Sequence, residues 1–200
     1  MNSERPWFDY YSDVPRSIDY PEVTMYESLM LSVNRVPEKV AWDFMGTLCS
    51  YKKFGIMIEQ CANALSGLGI KKGDTITISM PTTPQGIICF YAANKLGARA
   101  SMIHPLSTES EIEFYLNLSE SIMALTIDAF YSKFDAVMDN TPCRTLILAK
   151  IGDYLSPVKK LGFWLTKGRK LPKVPEDSRV HFWSDMMGQD FPSAPKTDMS

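Results

Sequence analysis

Two stretches of the chain carry the apolar patterns of buried α-helices. The clearest helix is predicted over 51–68, where apolar residues recur at steps of three and four and Gly69 follows as a helix end. Its apolar stripe consists of Phe54, Ile58, Cys61, Leu65 and Leu68. Residues 85–96 are apolar on nearly every side, which indicates a second helix that is buried against a sheet.

Capping motifs and a short alternating run predict three further elements. The pattern Thr-x-x-Glu occurs at 24–27 and at 108–111, where it predicts the starts of two helices. The second of these helices should run over 109–118. Residues 39–44 and 47–50 have strand character on either side of a Met-Gly turn, so they form a candidate hairpin.

Four apolar runs predict the strands of a sheet, and they alternate with the helices. They cover residues 75–80, 98–103, 122–127 and 145–149. A further short helix is predicted between the last two, over 131–139. Strands that alternate with helices of these lengths form βαβ units. The sequence therefore predicts an α/β fold of three layers, in which helices flank a mostly parallel sheet.

This regular pattern covers only the middle of the chain. Residues 1–23 are polar and aromatic and are interrupted by proline, and we interpret them as an N-terminal arm on the surface. The α/β subdomain is assigned to 24–150. At 151–200, proline, glycine and basic residues replace the alternation, which predicts an irregular basic and aromatic segment.

Composition changes this picture chiefly by excluding partners. The chain has 21 basic and 23 acidic side chains, so it lacks the basic excess of nucleic-acid-binding proteins, and we expect no such partner. Its four cysteines and two histidines do not occur at metal-ligand spacing, and we predict no metal site. The cysteines are far apart without a C-x-x-C pair, which favours reduced thiols and a cytoplasmic location.

An ordered set of motifs between residues 51 and 128 resembles the adenylate-forming superfamily. This superfamily contains acyl-CoA synthetases, luciferases and peptide-synthetase adenylation domains. The motifs read NALSGLG at 63–69, KKGDTI at 71–76, MPTTP at 80–84, KLGA at 95–98, HPL at 104–106 and TESEI at 108–112. None is specific alone, but all of them occur in the family's order and spacing. The segment 157–183 is similar to the fatty-acid ligase branch.

The resemblance implies an N-terminal fragment of an AMP-forming acyl-CoA synthetase, which carries part of the large N-terminal domain of the adenylate-forming fold. Such enzymes use ATP and Mg²⁺ to join a carboxylic acid to AMP, and then transfer the acyl group to CoA. The family's Ser-, Thr- and Gly-rich phosphate loop follows the matched region and does not occur among these 200 residues. We therefore expect no catalytic residue here, no bound cofactor and no activity of the chain alone.

Two other functions fit the same motifs. The chain could be a truncated, non-catalytic homologue that acts as a binding or regulatory module. It could also be a fragment of an amino-acid adenylation domain that feeds a carrier protein.

One short turn supplies the candidate cofactor-binding residues, namely His104, Pro105 and Leu106. In relatives the matching turn lies near the CoA nucleotide, and some carry Arg in place of Leu106. Because Leu106 has no charge to meet a phosphate, a surface-turn histidine is the simpler interpretation of His104.

Two surface interactions are also expected. Residues 157–173 contain six basic residues and no acidic one, interleaved with apolar side chains, and they form either a peripheral membrane contact or a solvated loop. The apolar strands 122–127 and 145–149 need cover on both faces. If part of that cover lies outside these 200 residues, the chain should self-associate, most simply as a two-fold dimer.

Overall fold

The computed structural model of the protein describes residues 5–166 and 174–195. Its centre is a parallel sheet of five strands in the order β4-β3-β5-β6-β7. These are β3 (Thr75–Ser79), β4 (Arg99–Met102), β5 (Ser121–Ile127), β6 (Thr145–Ala149) and β7 (Val180–Phe182). An antiparallel hairpin precedes them, formed by β1 (Val40–Phe44) and β2 (Thr47–Ser50).

Seven α-helices occur in the described ranges and surround this sheet. They are α1 (Met25–Arg35), α2 (Tyr51–Gly67), α3 (Pro84–Lys95), α4 (Glu109–Leu118), α5 (Tyr131–Met138), α6 (Pro157–Thr166) and α7 (Trp183–Met187). The predicted α/β class, the parallel sheet and its flanking helices are confirmed, as are the four predicted strands and the hairpin.

Both predicted capping boxes form. Thr24 Oγ1 accepts a hydrogen bond from the Glu27 amide, and Glu27 Oε2 accepts one from the Thr24 amide at 2.7 Å. Thr108 and Glu111 make the same reciprocal pair at the start of α4. Each pair satisfies two backbone donors that the first helical turn leaves without partners.

The sheet separates two apolar clusters. On one face, residues such as Ile78 and Leu125 pack against α2 and α3. On the other face, residues such as Ala124 and Leu146 pack with side chains of α4 and α5. Because β5 and β6 are buried on both faces, this chain itself covers the strands from which the sequence analysis expected cover to be lost.

The prediction of an irregular segment at 151–200 needs correction. Strand β7 pairs with β6 and extends the sheet, and α6 and α7 lie on either side of β7 in the sequence. Strand β7 has three residues and α7 has five, which is too short to show apolar periodicity. The ten residues of α6 do carry apolar positions at helical spacing, and the sequence analysis missed them. The basic segment predicted over 157–173 is helical at its start, and residues 167–173 lie outside the described residues.

Candidate functional site

The strand order identifies one edge of the sheet as the candidate site. Strand β3 comes first in the sequence; β4 then pairs on one side of it and β5 on the other. In open parallel sheets, ligands bind outside the carboxyl ends of the strands at such a reversal. The loop after β3 and the turn after β5 therefore frame the candidate site, at residues 80–85 and 128–130.

Two buried polar atoms lie where the loop after β3 joins helix α3. Thr83 occupies the N-cap position of α3, and Pro84 begins the helix. A threonine at this position usually caps the helix through its hydroxyl, but Thr83 does not. Among the residues that the structure describes, neither Thr83 Oγ1 nor Gln85 Oε1 has a hydrogen-bond partner. Buried polar atoms usually have such a partner, so these two atoms distinguish this part of the edge.

The amide group of Gln85 ties this loop to the end of β6. Gln85 Nε2 donates to the carbonyl oxygen of Lys150 at 3.0 Å and to Asp153 Oδ2 at 3.4 Å. The Lys150 amide donates to the same Asp153 oxygen at 2.9 Å. The first turn of α3 is thus held against the segment that follows β6.

Asp128, which directly follows β5, is the buried carboxyl group of this edge. Burial raises its pKa above the ordinary value, and the nearby charge of Asp153 acts in the same direction. A hydrogen bond with the Ala129 backbone and the charge of Lys150 oppose that rise. The Lys150 ammonium lies over the Phe182 ring at 4.6 Å, which links this edge to the end of β7.

Gln85, Asp128 and Lys150 thus place an amide, a carboxyl group and an ammonium group at one edge of the sheet. The sequence analysis did not select any of these residues. Their separate positions in the sequence carry no shared motif, and only the parallel strand order brings them to one edge.

The candidate residues that the sequence did select lie at the end of strand β4, at the outer side of the sheet. His104 and Leu106 are exposed, and His104 Nδ1 accepts a hydrogen bond from the Leu106 amide at 3.1 Å. The Lys133 ammonium donates to the Ser107 carbonyl at 2.8 Å, so α5 places a positive charge beside this turn. Nothing in the local sequence of the turn predicts that charge.

The described residues form neither a metal-ligand cluster nor a membrane-spanning helix. Within 5–166 and 174–195, no group of three or more His, Cys, Asp or Glu side chains is arranged to hold a metal ion. No described helix is long and apolar enough to cross a membrane.

Comparison with known proteins gives a consistent set of matches. The family model for "AMP-binding enzyme" matches residues 30–178. A long-chain-fatty-acid–CoA ligase of Bacillus subtilis is 26% identical over 95% of this chain and 34% of its own length. The corresponding ligase of Escherichia coli O6:H1 is 30% identical over 78% of this chain and 28% of its own length.

A solved structure has the same fold. The long-chain-fatty-acid-CoA ligase of Archaeoglobus fulgidus superposes on 66% of this chain and 28% of its own, with a TM-score of 0.62 and 20% identity. The chain thus spans about a third of the length of the curated relatives it matches.

Proposed function

The chain belongs to the AMP-binding enzyme family, and on that premise we propose that it is the N-terminal part of an ATP-dependent ligase that converts a fatty acid into its CoA thioester. The observation that carries this proposal is the match to fatty-acid ligases over nearly the whole chain. In the proposed reaction, a carboxylate oxygen bonds to the α-phosphorus of ATP and pyrophosphate leaves. The thiol of CoA then attacks the acyl carbon, loses its proton and displaces AMP.

ATP and Mg²⁺ would be held by residues that follow the present ones. Phosphoryl chemistry of this kind depends on backbone amides and a metal ion that neutralise developing charge. The motifs that provide a phosphate cradle in the family do not occur in this sequence. We therefore propose that the 200-residue chain has no adenylating activity by itself.

Pyrophosphate exchange tests this proposal. The chain, extended by its downstream coding sequence to the length of its relatives, is assayed for acid-dependent exchange between ATP and labelled pyrophosphate. Long-chain fatty acids and amino acids form separate arms, and the 200-residue chain is the truncated control. Exchange with fatty acids alone supports the proposal. Exchange with amino acids alone, exchange by the truncated chain, or no exchange in any arm contradicts it.

We place the CoA nucleotide near His104, Pro105 and Leu106. The exposed turn at the carboxyl end of β4 and the adjacent Lys133 ammonium support this placement, since a cation suits a phosphate. In the extended enzyme, Lys133→Ala should raise the KM for CoA about tenfold, the factor that corresponds to roughly 1.4 kcal/mol. Pyrophosphate exchange, which needs no CoA, should be unchanged. Equal KM values for CoA would contradict the placement.

Helix α6 is our proposed site of peripheral membrane contact. Val158, Leu161 and Leu165 are exposed at a spacing that places them on one stripe, and Val158 is 82% exposed. Lys160 on the same helix adds a charge that complements anionic lipid headgroups. Leu161→Asp should weaken co-sedimentation with phosphatidylserine vesicles, whereas Leu31→Asp on α1 should not. Equal binding of both variants would contradict the proposal.

We also propose that the chain self-associates through the outer face of α4. Phe114 and Leu118 on this helix are 59% and 68% exposed, and Tyr115 lies between them. Burial of such a patch favours a second copy, because soluble monomers seldom expose contiguous apolar surface. Sedimentation at micromolar concentration should give a dimer for the wild type and the Leu31→Lys control, and a monomer for Leu118→Lys. A monomeric wild type would contradict this proposal.

A further inference from the structure

The last described segment of the chain returns to helix α2 and packs against its final turns. The Ala194 amide donates a hydrogen bond to Asn63 Oδ1 at 2.8 Å. Four residues further along α2, a Cβ atom built on Gly67 would overlap Cδ1 of Phe191 and lie 2.9 Å from its Cε1. A polar contact and a steric contact therefore hold the same segment.

The spacing of Asn63 and Gly67 places both on one side of α2. Residues four apart in an α-helix lie one turn from each other on the same face. Asn63 thus presents an acceptor, and Gly67 a surface without a side chain, to the segment 191–194. The segment that they hold is more than 120 residues away in the sequence.

The close approach of Phe191 explains the glycine at position 67. Gly67 is the last residue of α2, where glycine favours the helix less than alanine does. Gly69 differs, because it has φ +102° and nothing lies within 4 Å of a Cβ built on it. Gly69 serves the backbone conformation that ends the helix, whereas Gly67 makes room for an aromatic ring.

The segment is anchored just before this contact as well. Helix α7 packs against α2 through the apolar cluster, in which Trp183 and Met186 are buried. Trp183 Nε1 donates to the Tyr154 hydroxyl at 3.2 Å. The path from α7 to Ala194 is therefore held at both of its ends.

We propose that Asn63 and Gly67 are positioning residues, which hold segment 191–194 on α2 and so fix where the chain lies after the sheet. The inference rests on the proposed function, because the phosphate loop implied by the family resemblance follows this region. In this proposal, neither Asn63 nor Gly67 contacts a substrate. Each affects the adenylation step indirectly, because it determines where the connecting segment lies.

The first experiment measures the contact itself and requires no activity. Hydrogen exchange of the Ala194 amide is followed by NMR in the 200-residue chain and in Asn63→Ala, Asn63→Asp and Gly67→Ala. The Asp variant retains an oxygen acceptor, so it should keep wild-type protection. The two Ala variants should lose protection at least tenfold.

Gly67→Ala separates this contact from helix stability. Alanine favours the helix, so without the contact this variant would melt at the same or a higher temperature and keep its Ala194 protection. In a Phe191→Ala background the ring is gone, so Gly67→Ala should no longer change the exchange of Ala194. Wild-type protection of Ala194 in Gly67→Ala, or an equal effect of Gly67→Ala in both backgrounds, would show that the contact between Gly67 and Phe191 does not hold the segment.

The second experiment measures the consequence in the extended ligase. Asn63→Ala and Gly67→Ala should raise the KM for ATP and lower the kcat of pyrophosphate exchange about tenfold, while the KM for CoA in the complete reaction stays unchanged. Asn63→Asp should be close to the wild type. Wild-type kinetics in both Ala variants would overturn the positioning role.

The two results also separate this inference from the proposed function. If the wild-type extended protein shows no exchange with any acid, the proposed function fails, and the positioning role fails with it. The hydrogen-exchange result would then still decide whether Asn63 and Gly67 hold the segment. If exchange occurs but does not respond to either Ala variant, only the positioning inference fails.

Discussion

The two faces of the sheet are covered to different depths. On one face, α1 forms a further layer over α2 and α3, and α7 packs beside α2, where it also contacts β6 and β7. On the other face, α4 and α5 form the outermost described layer and pack against each other. Eight of the 17 residues of α2 are buried, but only two of the 10 residues of α4 are.

This difference shows that an apolar residue on a helix has a different role on each face. Leu65 of α2 is fully buried in the larger cluster, whereas Leu118 of α4 is 68% exposed. Capping boxes begin both α1, which covers the first face, and α4, which covers the second. The local signals at the helix starts therefore match, while the packing of the helix sides does not.

The largest predicted effect compares one leucine from each face. Leu65→Ala should lower the free energy of unfolding by about 2–5 kcal/mol, because it leaves a cavity in a closed core. Leu118→Ala should change it by less than about 0.5 kcal/mol, measured by urea unfolding below the concentration of any dimer. Similar losses for the two variants would show that the α4 face is closed as well.

Helix caps should have the same effect on both faces, because a cap is a local interaction. Thr24→Ala and Thr108→Ala should each cost about 1 kcal/mol of unfolding free energy. Thr82→Ala, at an exposed position, serves as the control and should have almost no effect. A much larger loss of unfolding free energy for Thr24→Ala than for Thr108→Ala would mean that a cap contributes more stability on the more deeply covered face.

The glutamates of the two capping boxes predict a pH dependence. Hydrogen bonds to the backbone and side chain of Thr108 lower the pKa of Glu111, and those of Thr24 do the same for Glu27. A lowered folded-state pKa stabilises the protein above the unfolded pKa, and this stabilisation is lost as pH falls through the folded pKa. Glu111→Gln should therefore be less stable than the wild type at pH 7 and equal to it near pH 2. A difference that persists at pH 2 would contradict this.

Substitution of Asp128 should change stability in the opposite direction, and this is the smallest of the predicted effects. Its folded-state pKa is raised by burial, so its ionisation destabilises the fold above that pKa. This penalty disappears as pH falls below the unfolded pKa of about 3.9. Asp128→Asn should raise the melting temperature slightly at pH 7 and leave it unchanged near pH 3. A lower melting temperature at pH 7 would show that Asp128 is stabilised as a carboxylate.

Local patterns in the sequence determined the long elements of the fold. The predicted helix 51–68 matches α2, and the predicted helix 109–118 matches α4. The alternation of these elements with apolar strands predicted the parallel sheet. Apolar periodicity records how one element is buried around its own axis, and a capping box needs only four residues, so both can be read without the fold.

Only the tertiary structure decided which distant residues meet. Gln85 lies against the end of β6, and Lys133 lies beside the His104 turn, through contacts between segments far apart in the sequence. Strand β7 is recognisable only by its pairing with β6. The sequence analysis placed Asn63 and Gly67 within a motif, but their proposed roles depend on contacts with Ala194 and Phe191, which are more than 120 residues away in the chain. Such contacts leave no local period in the chain, because their partners are set by the path of the backbone.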